Sequence, residues 1–487
     1  MKFTPREYQH LASDFILDTP RCALFAKPGM GKSSTTAHVL DCLYLGGENY
    51  PTLIIGPLRV ARYTWPTEFR KWDDFKGYDV SPIIGTEKQR LAALSRDVPI
   101  YTTNYEQLPW LIDHFGSKWP FANIVPDEST KLKNLRVSVR PSKAGHYIHK
   151  EKGGSSRALA LSTVAFLPQV KRFIELTGTP ASNGLKDLWG QLFYLDKGAR
   201  LGRCYGAFEE RWFERVMRHP RDKFGELRPR EFAEDEINRK IADLCLALDP
   251  KDWFPDLQEP LRFTVLVDMP DKARALYKKM EKEMYIEIQN KGIEAFTAAS
   301  MTMKCRQLAS GAIYTDPETD EWAEVHDEKL QALEEIYGES GGMPLLVAYQ
   351  FVSDLERMLR VLPDAVNLAT DAGLRRFMAG EAKYGIGHPQ SIGHGFDGMQ
   401  DITNIIVFFS SDFNLEYREQ ITERIGPVRQ LQSGHNRKVL IYDIVAEGTI
   451  DEVVLDRLNR KCSVQEALFD AMKQKRALRN NVLKGQP

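Results

Sequence analysis

Residues 26–34 read Ala26-Lys27-Pro28-Gly29-Met30-Gly31-Lys32-Ser33-Ser34. Two glycines one residue apart leave the backbone N–H groups free to turn toward an anion with no Cβ in the way. The apolar run before them, Cys22–Ala26 (CALFA), has the length and composition of a buried strand. The run after them, KSSTTAHVLDCLYL from Lys32, reads as a helix whose positive N-terminus falls at the same place. A glycine turn before a helix is common, but strand, glycine loop, lysine and serine in this order form the context a phosphate cradle requires. Residues Lys27 to Ser34 are therefore expected to hold a nucleotide. Lys32 is expected to reach the β and γ phosphates, and the Ser33 hydroxyl to ligate Mg²⁺. The first position of the loop is Ala26 rather than glycine.

Outward from this loop, strand-like runs alternate with helix-like ones. TLIIGP (52–57), PIYTTN (99–104), NIVPDE (123–128) and FIELTGTP (173–180) continue the pattern, which predicts a parallel sheet with helices on both faces. Between about 200 and 310 the strand signal fades, and EDEINRKIADLCLAL (234–248) and DKARALYKKMEKEMYIEIQN (271–290) read as amphipathic helices. Strand patterns return at PLLVAYQF (344–351), AVNLAT (365–370), ITNIIVFFS (402–410) and KVLIYDIVA (438–446). The expected fold is α/β, with two RecA-like parallel-sheet domains, 1–199 and 311–472. A helical connecting region, 200–310, joins them, and a basic tail, 473–487, carries lysines and arginines without an acid.

The run NIVPDE ends on an acidic pair. At a strand end behind a phosphate loop, Asp127 is expected to hold Mg²⁺ through its water shell, and Glu128 to orient or deprotonate the attacking water. Pro126 has no N–H for a sheet ladder, so it belongs at the end of its strand.

These segments, taken in order, resemble the Swi/Snf-like group of superfamily 2 helicase-type ATPases, in particular compact members encoded by bacteriophages. TPREYQ (4–9) resembles the adenine-reading Q motif, with Gln9 as reader. IIGPLRVARYTWPTEFRKW (54–72), TTNYEQL (102–108), DESTKLKN (127–134) and LTGTPASN (176–183) resemble motifs Ia, Ib, II and III. LLVAYQF (345–351), SIGHGFDGMQ (391–400) and QITERIGPVRQ (420–430) resemble motifs IV, V and VI. The resemblance implies an ATP- and Mg²⁺-dependent motor. Thr177 and Thr179 would sense the γ-phosphate, Gln420 would join the catalytic set, and Arg424 or Arg429 would act as an arginine finger when the two α/β halves close. There are two departures. Thr130 stands where motif II often has histidine. Pro427 takes the slot of the second motif VI arginine, so that either Arg429 serves from a re-routed loop or Arg424 acts alone.

The chain has 487 residues, 43% hydrophobic and 27% charged, with 66 basic and 67 acidic side chains and a net charge of −1. Nucleic-acid binding must then come from local patches. The stretch 131–157 is one, with Lys131, Lys133, Arg136, Arg140, Lys143, Lys150, Lys152 and Arg157 against the single acid Glu151. Lys131, Lys133, Arg140 and Lys143, with Arg59, Thr103 and His394 from other motifs, are the expected DNA contacts. They would touch the phosphate backbone, with weak sequence preference. The tryptophans of motif Ia, Trp65 and Trp72, are expected mainly to serve core or helix packing. The six cysteines form no C-x-x-C pair, so neither zinc nor a disulfide framework is expected. MKFTPREYQHLASDF has no signal-peptide pattern and no run is long enough to span a bilayer, so a cytoplasmic monomer is expected. The reading is a translocase on double-stranded or branched DNA. A strand-separating DNA or RNA helicase and a non-enzymatic nucleic-acid-binding scaffold are the alternatives.

Overall fold

The structure, a computed structural model, describes residues 2–462 apart from 143–144, 217–225, 292–294, 316–320 and 393–397. Lys143, His394 and the tail 473–487 lie outside the described residues. The chain forms two compact units. One runs from the N-terminus to Pro255 and takes in Lys461, and the other is Asp256–Arg460.

The first unit is built on a seven-stranded sheet in the order Cys245–Leu248, Arg21–Ala26, Arg172–Thr177, Asn123–Pro126, Thr52–Gly56, Ile100–Asn104, Val80–Pro82, every pair parallel. Alternate strand residues enter two separate cores, one on each face. Ala23, Phe25, Leu53, Ile55, Ile124 and Phe173 pack on one side, and Leu24, Ile54, Val125, Ile174 and Leu176 on the other. Burial on both faces explains why these strands read as continuous apolar runs. Pro126 is the last residue of its strand, as the missing N–H requires. The second unit repeats the design with six parallel strands in the order Leu261–Val267, Leu440–Ala446, Ile405–Phe408, Leu345–Ala348, Tyr384–Gly387, Ala365–Asn367. These are the two RecA-like sheets the sequence pattern implies.

The region 200–310 is helical only in part. The helix expected over 234–248 stops at Ile241, and Cys245–Leu248 instead pairs with Arg21–Ala26 as an edge strand. A four-residue apolar run is compatible with either period, and here the open sheet edge decides. Leu261–Val267 (LRFTVLV) pairs with Leu440–Ala446 as a largely exposed edge strand; its apolar, β-branched run lies inside the region expected to be helical. The contact boundary falls between Pro255 and Asp256, inside the expected connecting region. The basic stretch 131–157 contains a hairpin, Val137–Ser142 paired antiparallel with Gly145–Lys150. Among the described residues no helix is long and apolar enough to cross a membrane.

Candidate active site

Arg21–Ala26, Arg172–Thr177 and Asn123–Pro126 are consecutive strands of one parallel sheet. Their carboxyl ends therefore deliver the phosphate loop, the Thr-Gly-Thr-Pro turn and the acidic pair side by side, where open α/β sheets bind ligands. Gly29 and Gly31 adopt φ of 84° and 68°, the left-handed region that glycine tolerates. A Cβ on Gly31 would lie 2.6 Å from Gln9 Nε2. A Cβ on Gly178 would lie 3.0 Å from Pro28 Cδ, so the Thr-Gly-Thr-Pro turn abuts the loop. Lys32 opens the helix Lys32–Leu45 and donates from Nζ to the Ala26 carbonyl at 2.8 Å. Ser33 is half-buried beside it. Ser34 Oγ donates to the Gly31 carbonyl at 3.0 Å. The Met30 side chain packs in the core, so this residue contributes backbone only. Lys27 pairs with Asp249, the residue just beyond the edge strand Cys245–Leu248, at 3.2 Å.

Gln9 is buried rather than open to a base. Its Oε1 accepts from the Arg6 N–H at 3.0 Å, and its Nε2 donates to Ser34 Oγ and Thr35 Oγ1, both at 3.3 Å. It ties the helix Glu7–Asp18 to the helix Lys32–Leu45.

Asp127 is buried, and burial pushes its carboxyl up. The charge of Lys32 opposes that shift, as do hydrogen bonds from Trp65 and from the Glu128 backbone N–H. Trp65 Nε1 donates to Asp127 Oδ2 at 3.0 Å. Trp65 is fully buried, as expected of a core residue, but its indole N–H also holds the Asp127 carboxylate. The signal was available: a buried tryptophan needs a partner for its N–H. It follows a π-helical turn, Val60–Thr64, a form that concentrates at functional sites. Trp65→Phe keeps the ring and removes the donor. Mg²⁺ titration of the variant's ATP turnover is expected to show metal affinity reduced roughly 10–100-fold; unchanged Mg²⁺ dependence would leave Trp65 a packing residue only.

Glu128 has φ 62° and ψ 56°, a left-handed conformation uncommon for a side chain of this size. Tyr105 holds it there, its hydroxyl bonded to the carbonyls of both Asp127 (2.9 Å) and Glu128 (3.1 Å). Strain fixed by its surroundings in this way is a mark of functional positions. Thr177 and Thr179 are buried, with the Thr179 N–H donating to Thr177 Oγ1 at 3.1 Å. Thr179 Oγ1 and Thr130 Oγ1 are buried without a hydrogen-bond partner.

In the second unit, Gln420 lies on the helix Leu415–Thr422, and a buried, two-pronged pair between Arg418 and Asp443 (2.7 Å at each prong) fastens that helix to the strand Leu440–Ala446. Arg424 sits in the turn that follows. Pro427 begins a new helix, Pro427–Gln432, as proline at a first helical position often does, so Arg429 is on a helix and not on a re-routed loop.

The expected nucleic-acid contacts fare unequally. Arg59 and Arg140 are exposed and Lys131 is half-buried. Thr103 is fully buried within its strand, its hydroxyl donating to the Ile83 carbonyl at 3.1 Å, so its side chain is not a DNA contact. Lys133 is tied inside the unit, 3.0 Å from Ser182 Oγ and 3.4 Å from Asp187 Oδ2, which offsets its charge.

The SNF2-related domain family matches residues 17–310, well over half of the chain. The chain belongs to this family. Protein p41 of Acyrthosiphon pisum secondary endosymbiont phage 1 is 47% identical over 97% of this chain and 99% of its own length. Transcription regulatory protein SNF2 of Saccharomyces cerevisiae is 23% identical over 91% of this chain, which spans only 26% of that relative. The solved Sulfolobus solfataricus SWI2/SNF2 ATPase core in complex with dsDNA is 18% identical, with a TM-score of 0.42 over 97% of this chain and 95% of the other. The protein is thus an SNF2-type ATPase motor domain, of a helicase-like family that uses ATP, generally with Mg²⁺. The residues present fit both groups: a glycine cradle that a Cβ would fill, a lysine beside it, an orphaned hydroxyl at Thr179 and a buried carboxylate held by Trp65.

Proposed function

We propose that this SNF2-related chain is a DNA-stimulated ATPase that translocates along or remodels double-stranded or branched DNA in replication, recombination or repair. The observation that carries the ATPase part is the convergence of Lys32, Asp127, Glu128 and Thr179 at the ends of three adjacent parallel strands. When bound, Mg-ATP supplies the phosphoryl group whose hydrolysis drives the motor. The protein's part is to position and to stabilise charge. Lys32 and the loop N–H groups bind phosphate oxygens. Ser33 would hold the metal directly and Asp127 through its water shell. Glu128 orients the attacking water and receives its proton. In the second unit Arg424 and Arg429 are the proposed finger candidates, with Gln420 alongside them. Arg59, Lys131 and Arg140 are the proposed DNA-backbone contacts, sequence-independent because phosphates carry no base information.

The test pairs a triplex-displacement assay with a strand-separation assay on the same preparation, with ATP and with no nucleotide. ATP-dependent triplex displacement without duplex separation is the expected result. Duplex separation would make the protein a helicase, and DNA binding with no ATP turnover would make it a scaffold.

A further inference from the structure

The hairpin in the basic stretch, Val137–Ser142 against Gly145–Lys150, is anchored at its base. Val137 is fully buried, and Val139 and Ile148 pack against a core of the first unit. The Val139 N–H donates to the Arg203 carbonyl at 2.8 Å, and Ser138 forms an antiparallel bridge with Cys204, so residues 203–204 run alongside the first strand. The far half has no such cover: Arg140, Pro141, His146 and Tyr147 are all exposed.

Cations gather on this half without acids to balance them. Lys197 Nζ donates to the His146 carbonyl at 3.2 Å, and Arg203 Nη1 to the His146 ring nitrogen Nε2 at 3.3 Å. Arg140 Nε donates to Ser138 Oγ at 3.2 Å. Among the described residues none of these three cations is paired with a carboxylate, whereas Arg200, close by in the chain, is paired with both Asp196 and Asp243. Like charges brought together in this way repel, and a polyanion relieves the repulsion.

The cations alone would suit any nucleic-acid backbone. Tyr147 narrows the choice. Directly opposed residues of an antiparallel pair stand side by side on one face, and Tyr147 is opposed to Arg140. Tyr147 is 47% exposed, and among the described residues no aromatic or cationic side chain covers its ring. A duplex keeps its bases stacked and offers a side chain only their groove edges. An unpaired base offers its face, and aromatic stacking beside a cationic track is how single strands are held. We infer that the far half of this hairpin binds single-stranded DNA, with Tyr147 stacked on an unpaired base and Arg140, Lys197 and Arg203 on the adjoining phosphates. The inference rests on the reading that the chain acts on DNA, and it makes the unpaired arm of a branched molecule the strand this hairpin engages.

The test measures binding by fluorescence anisotropy, without nucleotide, on a fork with single-stranded arms and on a blunt duplex. The parent is expected to bind the fork more tightly. Tyr147→Ala is expected to lose about tenfold in affinity for the fork and nothing on the blunt duplex, while Tyr147→Phe, which keeps the ring, matches the parent on both. Arg140→Ala is expected to lower the log–log salt slope for the fork by roughly 0.7, the share of one single-strand phosphate. A 2-aminopurine in the unpaired arm is expected to be quenched by the parent and by Tyr147→Phe but not by Tyr147→Ala. Tyr147 is exposed, so its truncation opens no cavity, and equal melting temperatures serve as the folding control. Parental fork affinity in Tyr147→Ala overturns the inference and leaves the DNA reading standing, as does an equal loss on fork and blunt duplex. Failure of the parent to bind either DNA overturns both.

Discussion

Lys32→Ala is expected to lower ATP hydrolysis by roughly 10²–10³-fold or more while the protein stays folded. Lys32 is half-buried at the first position of the phosphate-loop helix, and its Nζ donates to the Ala26 carbonyl. Its stem belongs to neither core of the unit, so truncation opens no cavity there. Alanine is also a strong helix former, so Lys32–Leu45 should persist. What would be lost is the cation proposed to bind the transferring phosphoryl group, together with the charge that opposes the burial-driven rise of the Asp127 carboxyl. Both losses act in the same direction, the second by weakening metal binding. Steady-state ATPase measurements with circular dichroism as a folding control decide the matter. Near-parental turnover in the folded variant would remove Lys32 from the site.

Glu128→Gln is expected to bind Mg-ATP and to hydrolyse it roughly 10²–10⁴-fold more slowly, the usual cost of losing a positioned general base. Glutamine has the same shape, and the left-handed backbone at this residue is held by Tyr105 through carbonyl groups the substitution does not touch. Nucleotide binding measured by fluorescence, followed by single-turnover hydrolysis, separates the two steps. Loss of binding along with hydrolysis would make Glu128 a structural residue, and the division of labour between Asp127 and Glu128 would be wrong.

Much of this site is legible before any folding is known, because its parts are local. The phosphate loop is a property of nine consecutive residues, since the two glycines and the lysine at the helix start act through their own backbone. The acidic pair likewise follows its strand directly, and Pro126 marks where that strand ends. The two α/β halves show in runs of apolar residues buried on both faces. Leu261–Val267 has apolar residues at 261, 263 and 265–267, but only its pairing with Leu440–Ala446 assigns it to the second sheet rather than to the helical region around it. The basic stretch 131–157 reads as uniform, yet Lys133 spends its charge on Asp187 while Arg140 remains exposed.

The sequence by itself determined which turns are the candidates for phosphate and metal binding, and that two sheets of similar design exist. Only the tertiary structure decided who stands behind those turns. That Trp65 holds Asp127, that Tyr105 fixes Glu128 and that Thr103 is sealed in the core all depend on the order of strands in one sheet. Turn chemistry is written into neighbouring residues through backbone dihedral preferences. Strand order brings together residues dozens of positions apart through packing of the whole unit, and no short spacing along the chain encodes it.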